Sequence, residues 1–190
     1  MSSPQTRPLV VAIAGSQRED SVTRQALERA LESARERGAR TELLDLREYE
    51  LPMLDPDAEP PADARRVTDR VEAADAVVLG TPMYHGSYSS PLKTALDYCG
   101  FDEFEDTTVG LVSVAGGRFP TRPLDHLRAV GRALNAWVLP HQVAVPDTHS
   151  IGEAFPDTID DRLDELGEQV VAYATIRPTE RCQNATPADD

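Results

Sequence analysis

After a short polar start, Leu9-Val10-Val11-Ala12-Ile13-Ala14 runs apolar without a break, is rich in β-branched residues and is closed by Gly15. Such a run predicts a strand buried on both faces, as in a parallel sheet. From Val22 the spacing changes: Val22, Ala26, Ala30 and Ala34 recur at helical intervals with Leu27 and Leu31 beside them, and Gly38 supplies a stop. The opening unit is therefore strand, loop, helix. The alternation then repeats. Thr41 to Leu46 predicts a second strand, a Pro- and Asp-rich loop runs from Pro52 to Pro61, and Ala64, Val67 and Val71 mark a helix. Ala76 to Gly80 predicts a third strand, again continuous in apolar character. Ser90-Pro91, an N-cap followed by proline at the first helical position, opens a helix with Leu92, Ala95, Leu96 and Cys99 on one face and Gly100 as its stop. Val109 to Val114 is a fourth strand, and Leu124, Leu127, Val130 and Leu134 a fourth helix. The last strand, Trp137 to Leu139 with Gln142 to Val145, is interrupted by Pro140, which belongs at an edge or a bulge. Ile159, Leu163, Leu166, Val170 and Tyr173 close the pattern as a helix, and from Arg177 the chain is polar and reads as a fraying tail.

Five strands alternating with five helices imply an α/β three-layer sandwich around a parallel sheet, because parallel strands need crossovers and those crossovers are helices. The economical strand order is 2-1-3-4-5. Ligands in such sheets sit beyond the carboxyl ends of the strands at the switch point, so the loops at Gly15, Pro82 and Ala115 are expected to meet. A length of 190 residues with 40% hydrophobic content suits one domain, placed at 1–176, followed by a tail at 177–190.

Charge changes the picture of the surface. Asp and Glu number 33 against 19 Lys and Arg, the net charge is −14, and Lys93 is the sole lysine. A nucleic-acid partner is not expected, since phosphate binding needs a basic face. The plain account is a solvated acidic surface, and the acid-rich, lysine-poor composition resembles that of cytosolic proteins from salt-accumulating halophiles, where a Debye length of about 3 Å at ~1 M salt screens self-repulsion. Neither an export signal at Met1 to Pro8 nor an apolar stretch of membrane-spanning length is present, so a soluble cytoplasmic protein is expected. Cys99 and Cys182 form no CxxC, Cys99 reads as a small core residue, and the Asn184-Ala185-Thr186 acceptor carries no weight without export. His85, His126, His141 and His149 show no metal-ligand spacing, so no metal is expected.

Two loops carry candidate chemistry. The first, Gly15-Ser16-Gln17-Arg18-Glu19-Asp20-Ser21-Val22-Thr23, runs into a helix and places hydroxyls, main-chain N–H groups and one guanidinium where the helix dipole favours an anion. Ordinary capping by Ser21 beside a solvated Arg18 explains the same residues equally well. GxGxxG and Walker patterns are both absent from it. The second, Thr81 to Lys93, holds Pro82, Met83, Tyr84, His85 and Gly86, side chains able to cover a flat ring around a glycine that lets the backbone approach. A packed turn with chance aromatics is the competing account. Lys93 is read as neutralising a local acid or touching this loop, and the lack of a GxSxG elbow excludes a serine hydrolase.

Gly15-Ser16-Gln17-Arg18-Glu19-Asp20-Ser21 resembles the GSxRxxS phosphate loop, and Pro82-Met83-Tyr84-His85-Gly86-Ser87 with Pro91-Leu92-Lys93 resembles the PxYxGS…PLK segment, of the NAD(P)H-dependent FMN reductases. The similarity covers roughly residues 9 to 147. It implies a flavodoxin-like fold, non-covalent FMN, a homodimer or homotetramer, and reduction of flavins, quinones, azo compounds or oxyanions. By the same resemblance Ser16, Arg18, Ser21, Val22 and Thr23 would hold the phosphate, and Pro82, Met83, Tyr84, His85 and Gly86 would line the ring. Ala115-Gly116-Gly117-Arg118 resembles the family's glycine pair beside the flavin, with a plain Gly-Gly turn as the alternative for Arg118.

On this reading the flavin carries the redox chemistry and the protein orients it, so no catalytic side chain is assigned. NADPH or NADH and a small planar acceptor are the expected partners, with Arg118 and Arg122 the nearby bases for a 2′-phosphate and hence a lean to NADPH. The alternative is a flavodoxin-type FMN electron carrier without direct NAD(P)H reactivity; Arg18 argues against it, since flavodoxin loops are hydroxyl- and glycine-rich.

Overall fold

The computed structural model describes residues 7–152 and 154–174. Strands Leu9–Ala14 (β1), Arg40–Asp45 (β2), Ala76–Pro82 (β3), Thr108–Val114 (β4) and Trp137–Val145 (β5) form one parallel sheet in the order β2-β1-β3-β4-β5. The helices are Val22–Glu36 (α1), Ala62–Glu72 (α2), Ser90–Asp97 (α3), Phe101–Phe104 (α4), Arg122–Ala133 (α5) and Asp157–Tyr173 (α6). This is the expected flavodoxin-like topology. The expected tail from Arg177, the boundary at residue 176, Cys182 and the Asn184 acceptor lie outside the described residues.

Alternate residues of β1 explain its unbroken apolar run. Val10, Ala12 and Ala14 enter a core shared with Ala26, Leu27 and Leu31 of α1 and Leu163, Leu166 and Val170 of α6. Val11 and Ile13 enter the opposite core, with Val67 and Val71 of α2, Leu92 and Leu96 of α3, and Leu124 and Leu127 of α5. Both faces of the strand are buried, so polar alternation has no place in it. Each fully buried leucine contributes about 1.5–3 kcal/mol of transfer free energy, which anchors the helices to their faces.

Helices α1 and α6 lie against each other. A Cβ at Gly167 would stand 2.4 Å from the Ala30 carbonyl oxygen, so only a glycine permits the approach. Charges stitch the same pair: Arg29 reaches Asp160 at 2.7 Å and Asp164 at 3.2 Å, and Arg37 reaches Asp164 at 2.7 Å and Glu168 at 3.3 Å. Arg37 and Arg29 together hold the Asp164 carboxyl below the usual carboxylate range.

Several local expectations shift. The second strand ends at Asp45, because Asp45 caps a 3-10 turn over Leu46–Glu48 by accepting from the Arg47 N–H. The N-cap of α3 is Ser89, one residue before the expected Ser90, so Pro91 stands at the second helical position. Its helix ends at Asp97, and Cys99 lies just beyond it; burial pushes that thiol up to about 12, an inert core sulfur. α4 adds a sixth helix among the described residues. At four residues it carries no periodicity to read, yet it seats the buried Phe104. Pro140 falls in the edge strand β5 where the register with β4 shifts, as a missing N–H requires.

Candidate functional site

Three loops gather at the carboxyl ends of β1, β3 and β4, held by main-chain bonds. Gly15 N–H donates to Gly80 O at 2.9 Å, Met83 N–H to Val114 O at 2.7 Å, and Ala115 N–H to Val145 O at 3.0 Å. Beneath them Ser89, 1% exposed, donates its hydroxyl to Gly15 O at 2.7 Å and its N–H to the Thr81 hydroxyl at 2.9 Å. A buried serine thus ties the first loop to the second across 74 residues of chain.

Between the loops lies an open cavity of about 80 Å³ lined by Ser16, Arg18, Asp20, Val22, Thr23, Pro82, Met83, Tyr84, Val114, Ala115, Gly116 and Thr148. A larger groove of about 540 Å³ beside α1 and β2 is lined by Glu28, Glu32, Arg29 and Arg35 and holds none of these loop residues. The chemistry points to the smaller cavity, because convergent donors sit at the switch point of the sheet there.

Nine of the residues singled out in the sequence line this cavity: Ser16, Arg18, Val22, Thr23, Pro82, Met83, Tyr84, Ala115 and Gly116. Ser21 stands behind it. Its backbone is extended and its hydroxyl accepts the Arg24 N–H at 3.1 Å, an N-cap that starts α1 at the cavity floor. His85 and Gly86 do not line the cavity. They form a two-residue turn with φ of 50° and 80°, closed by reciprocal Tyr84 and Ser87 bonds of 3.0 Å; positive φ at both central positions is what such a turn needs. Their effect is to aim Tyr84, while Ser87 pins the loop to α5 through His126 Nδ1 at 2.9 Å. Gly117 and Arg118 lie outside the lining, exposed beyond the closest approach at Gly116. Lys93 pairs with Asp97 one turn along α3.

Asp20, Val114 and Thr148 line the cavity and were not singled out. Thr148 arrives from beyond β5, its N–H on Ala115 O at 3.1 Å, and next to it the His149 ring covers Gly116 so closely that a Cβ there would stand 2.6 Å from Nε2. No local pattern after Val145 signals that contact.

The donor set suits a phosphate. Ser16 and Thr23 are nearly buried, and among the described residues neither hydroxyl donates to the chain; Ser16 Oγ only accepts the Arg18 N–H, at 3.4 Å. The first-turn N–H groups of Val22 and Thr23 precede any intrahelical partner and point out of the helix start. The Arg18 guanidinium is exposed and makes no hydrogen bond or ion pair among the described residues. Asp20 is the one lining group of the wrong sign; it is exposed, and solvent screens it while the helix dipole offsets it. Pro82, Met83 and Tyr84 line the same cavity as Ala115, Gly116 and Thr148, so apolar and aromatic side chains stand there with a glycine backbone.

Comparison with known proteins agrees with this geometry. The family described as NADPH-dependent FMN reductase matches residues 8–150. An FMN-dependent NADPH-azoreductase of Staphylococcus aureus (strain USA300) is 39% identical over 113 residues, which are 56% of this chain and 60% of the azoreductase. Two solved structures share the fold. One is the apo form of an NADH:FMN oxidoreductase, EMOB, with TM-score 0.76, 22% identity and coverage of 90% of this chain and 92% of that one. The other is the NAD(P)H:(acceptor) oxidoreductase FerB from Paracoccus denitrificans, with TM-score 0.74, 20% identity and coverage of 88% and 97%.

Proposed function

The chain belongs to the NADPH-dependent FMN reductase family, and from that premise we propose that it binds FMN in the cavity at Ser16 to Thr23 and passes reducing equivalents from NAD(P)H to a small planar acceptor such as a flavin, a quinone or an azo compound. The observation that carries this reading is the meeting, in one cavity, of unpartnered phosphate donors on the first loop with Pro82, Met83 and Tyr84 of the second and Gly116 of the third. The azoreductase relative is matched over 60% of its length, and an azo substrate is one member of the acceptor class proposed.

Bound FMN would supply the hydride chemistry itself. The chain's part is binding and orientation. Ser16, Thr23, the Val22 and Thr23 N–H groups and Arg18 hold the phosphate, and Ser21 fixes the helix start that aims them. Pro82, Met83 and Tyr84 cover one edge of the ring, with His85 and Gly86 setting the turn that positions Tyr84. Ala115 and Gly116 would leave room for close approach at the lining, with Thr148 beside them, while Gly117 stands outside it. Tyr84 is 50% exposed, so the cavity is open to solvent on its side, where a nicotinamide and an acceptor would have access to bound FMN. Arg118 and Arg122, both exposed, are the bases offered for the 2′-phosphate of NADPH.

In this reading the protein works in the cytoplasm of a salt-accumulating cell as a homodimer or homotetramer and binds no nucleic acid. The described residues include no helix long and apolar enough to cross a membrane. The test is an absorbance spectrum of the apoprotein with FMN, followed by stopped-flow mixing with NADPH. A red-shifted, structured flavin band that NADPH bleaches is expected; a bound flavin that NADPH leaves oxidised returns the chain to the role of an electron carrier, and no flavin binding overturns the reading.

A further inference from the structure

At the carboxyl end of β2, outside the cavity, Asp45 is 6% exposed and gathers two arginines. Its carboxylate accepts Arg47 Nε at 2.9 and 3.1 Å, Arg47 Nη2 at 2.5 Å, the Arg47 N–H at 3.1 Å and Arg24 Nη1 at 3.5 Å. Each guanidinium spends another N–H on the first loop: Arg47 Nη1 donates to Arg18 O at 3.3 Å, and Arg24 Nη2 donates to Glu19 O at 3.1 Å. The chain from Gly15 to Ser21 has no helix or strand of its own, so these two bonds brace its middle. We propose that Asp45 is a positioning residue for the anion loop, holding Arg47 and Arg24 so that they draw the Arg18 and Glu19 carbonyls away from the phosphate site. The inference rests on the FMN reading and deepens it.

The physical consequence follows from peptide geometry. In a trans peptide the carbonyl of one residue and the N–H of the next point to opposite sides, and no cis bond occurs among the described residues. Drawing the carbonyls of Arg18 and Glu19 onto the arginines therefore turns the N–H groups of Glu19 and Asp20 away from those arginines, and Asp20 is one of the residues that line the cavity. Left unbraced, the same carbonyls would be free to present partial negative charge to an incoming phosphate. Arg47 and the other donors keep the Asp45 carboxyl below the usual carboxylate range, so the brace stays ionised through neutral pH.

Two effects of removing the charge have opposite signs, which makes the test decisive. Asp45→Asn relieves two guanidiniums of their counter-ion and, by charge alone, would tighten a phosphate ligand. By positioning, it loosens the loop and weakens that ligand. At ~1 M KCl the Debye length of about 3 Å suppresses the first effect and leaves the second. The experiment titrates apoprotein with FMN and with riboflavin for the wild type, D45N, R47A and the double variant, with far-UV circular dichroism and Tm recorded for each. D45N and R47A are each expected to weaken FMN about tenfold or more, the scale of one charge-assisted hydrogen bond, with riboflavin changed by less than about twofold. The double variant is expected to lose no more than the larger single loss, because both act through one brace. FMN affinity unchanged or tighter in D45N, or equal losses for both flavins, overturns the inference and returns Asp45 to capping Leu46–Glu48. A wild type that does not prefer FMN to riboflavin instead overturns the phosphate-loop reading beneath it. Should D45N not fold, R47A, altered at a part-exposed side chain, decides the question by the same two criteria.

Discussion

In the FMN reading proposed above, Arg18 is the residue on which phosphate recognition would turn most simply. Its guanidinium has no partner among the described residues and stands at the cavity, in a chain whose net charge of −14 otherwise repels anions. Arg18→Ala is expected to weaken FMN by roughly one to two orders of magnitude, equivalent to about 1.5–3 kcal/mol for a charge-assisted bond, and to leave riboflavin nearly unchanged. Titration of the apoprotein with both flavins at one salt concentration checks this, and equal losses would assign Arg18 to the fold. The motif exposed Arg18 in the sequence, along with Ser16 and Thr23, because an N-cap and its preceding loop are local features. Ser89 and Thr148 were missed for the converse reason. The Ser89 hydroxyl serves a carbonyl 74 residues away, and Thr148 reaches the cavity only because its N–H meets Ala115 O after β5 has aligned with β4.

Among the elements, α1 and α6 make the contact most sensitive to a single atom. A methyl at Gly167 would collide with the Ala30 carbonyl at 2.4 Å and with Ser33 at 2.5 Å, and the first of these is backbone that no rotamer change relieves. Gly167→Ala is expected to cost about 2–3 kcal/mol, the scale of core overpacking, and to lower Tm by roughly 5–10 °C in a thermal melt. A Tm at or above the wild-type value, despite alanine's better helix propensity, would show that the two helices can separate without loss. The charged seam between them sets a pH dependence. Asp164, held below its unfolded value by Arg37 and Arg29, contributes stability that is present above the ordinary carboxylate pKa of about 3.9 and lost as pH falls through the lower folded value. Asp164→Asn should therefore cost stability at neutral pH, no more than about 1 kcal/mol because the groups are part-exposed and screened by solvent, and the difference from wild type should shrink as pH falls through the lowered folded pKa. A gap between the two melts that stays constant with pH would remove Asp164 from the account.

For the whole molecule the acidic surface dominates. With 33 carboxylates against 19 basic side chains, self-repulsion falls as added salt shortens the Debye length from about 10 Å at 0.1 M to about 3 Å at 1 M. Tm is expected to rise steadily with KCl over that range, and a flat melt series would contradict the salt-adapted reading. The same conditions serve for light scattering, where a dimer or tetramer is expected because Tyr84, 50% exposed, leaves aromatic surface at the cavity. A fully active 20.8 kDa monomer would overturn that expectation.

By itself the amino-acid sequence determined the class of this fold, because buried parallel strands and amphipathic helices write their periods directly into the chain: the unbroken run at Leu9–Ala14 and the helical spacing from Val22 needed no partner to be read. It also singled out the loops proposed for phosphate and ring binding, through capping residues, glycines and one arginine set close together. Only the tertiary structure decided which members of those motifs meet in one cavity, with Gly116 inside it and Arg118 outside. Only the tertiary structure, too, showed that Asp45 stands behind the first loop through Arg47 and Arg24. The physical reason is that periodicity reports the face a residue presents to its own sheet or helix, whereas a hydrogen bond between loops depends on the alignment of strands distant in sequence, which is settled when the whole core packs.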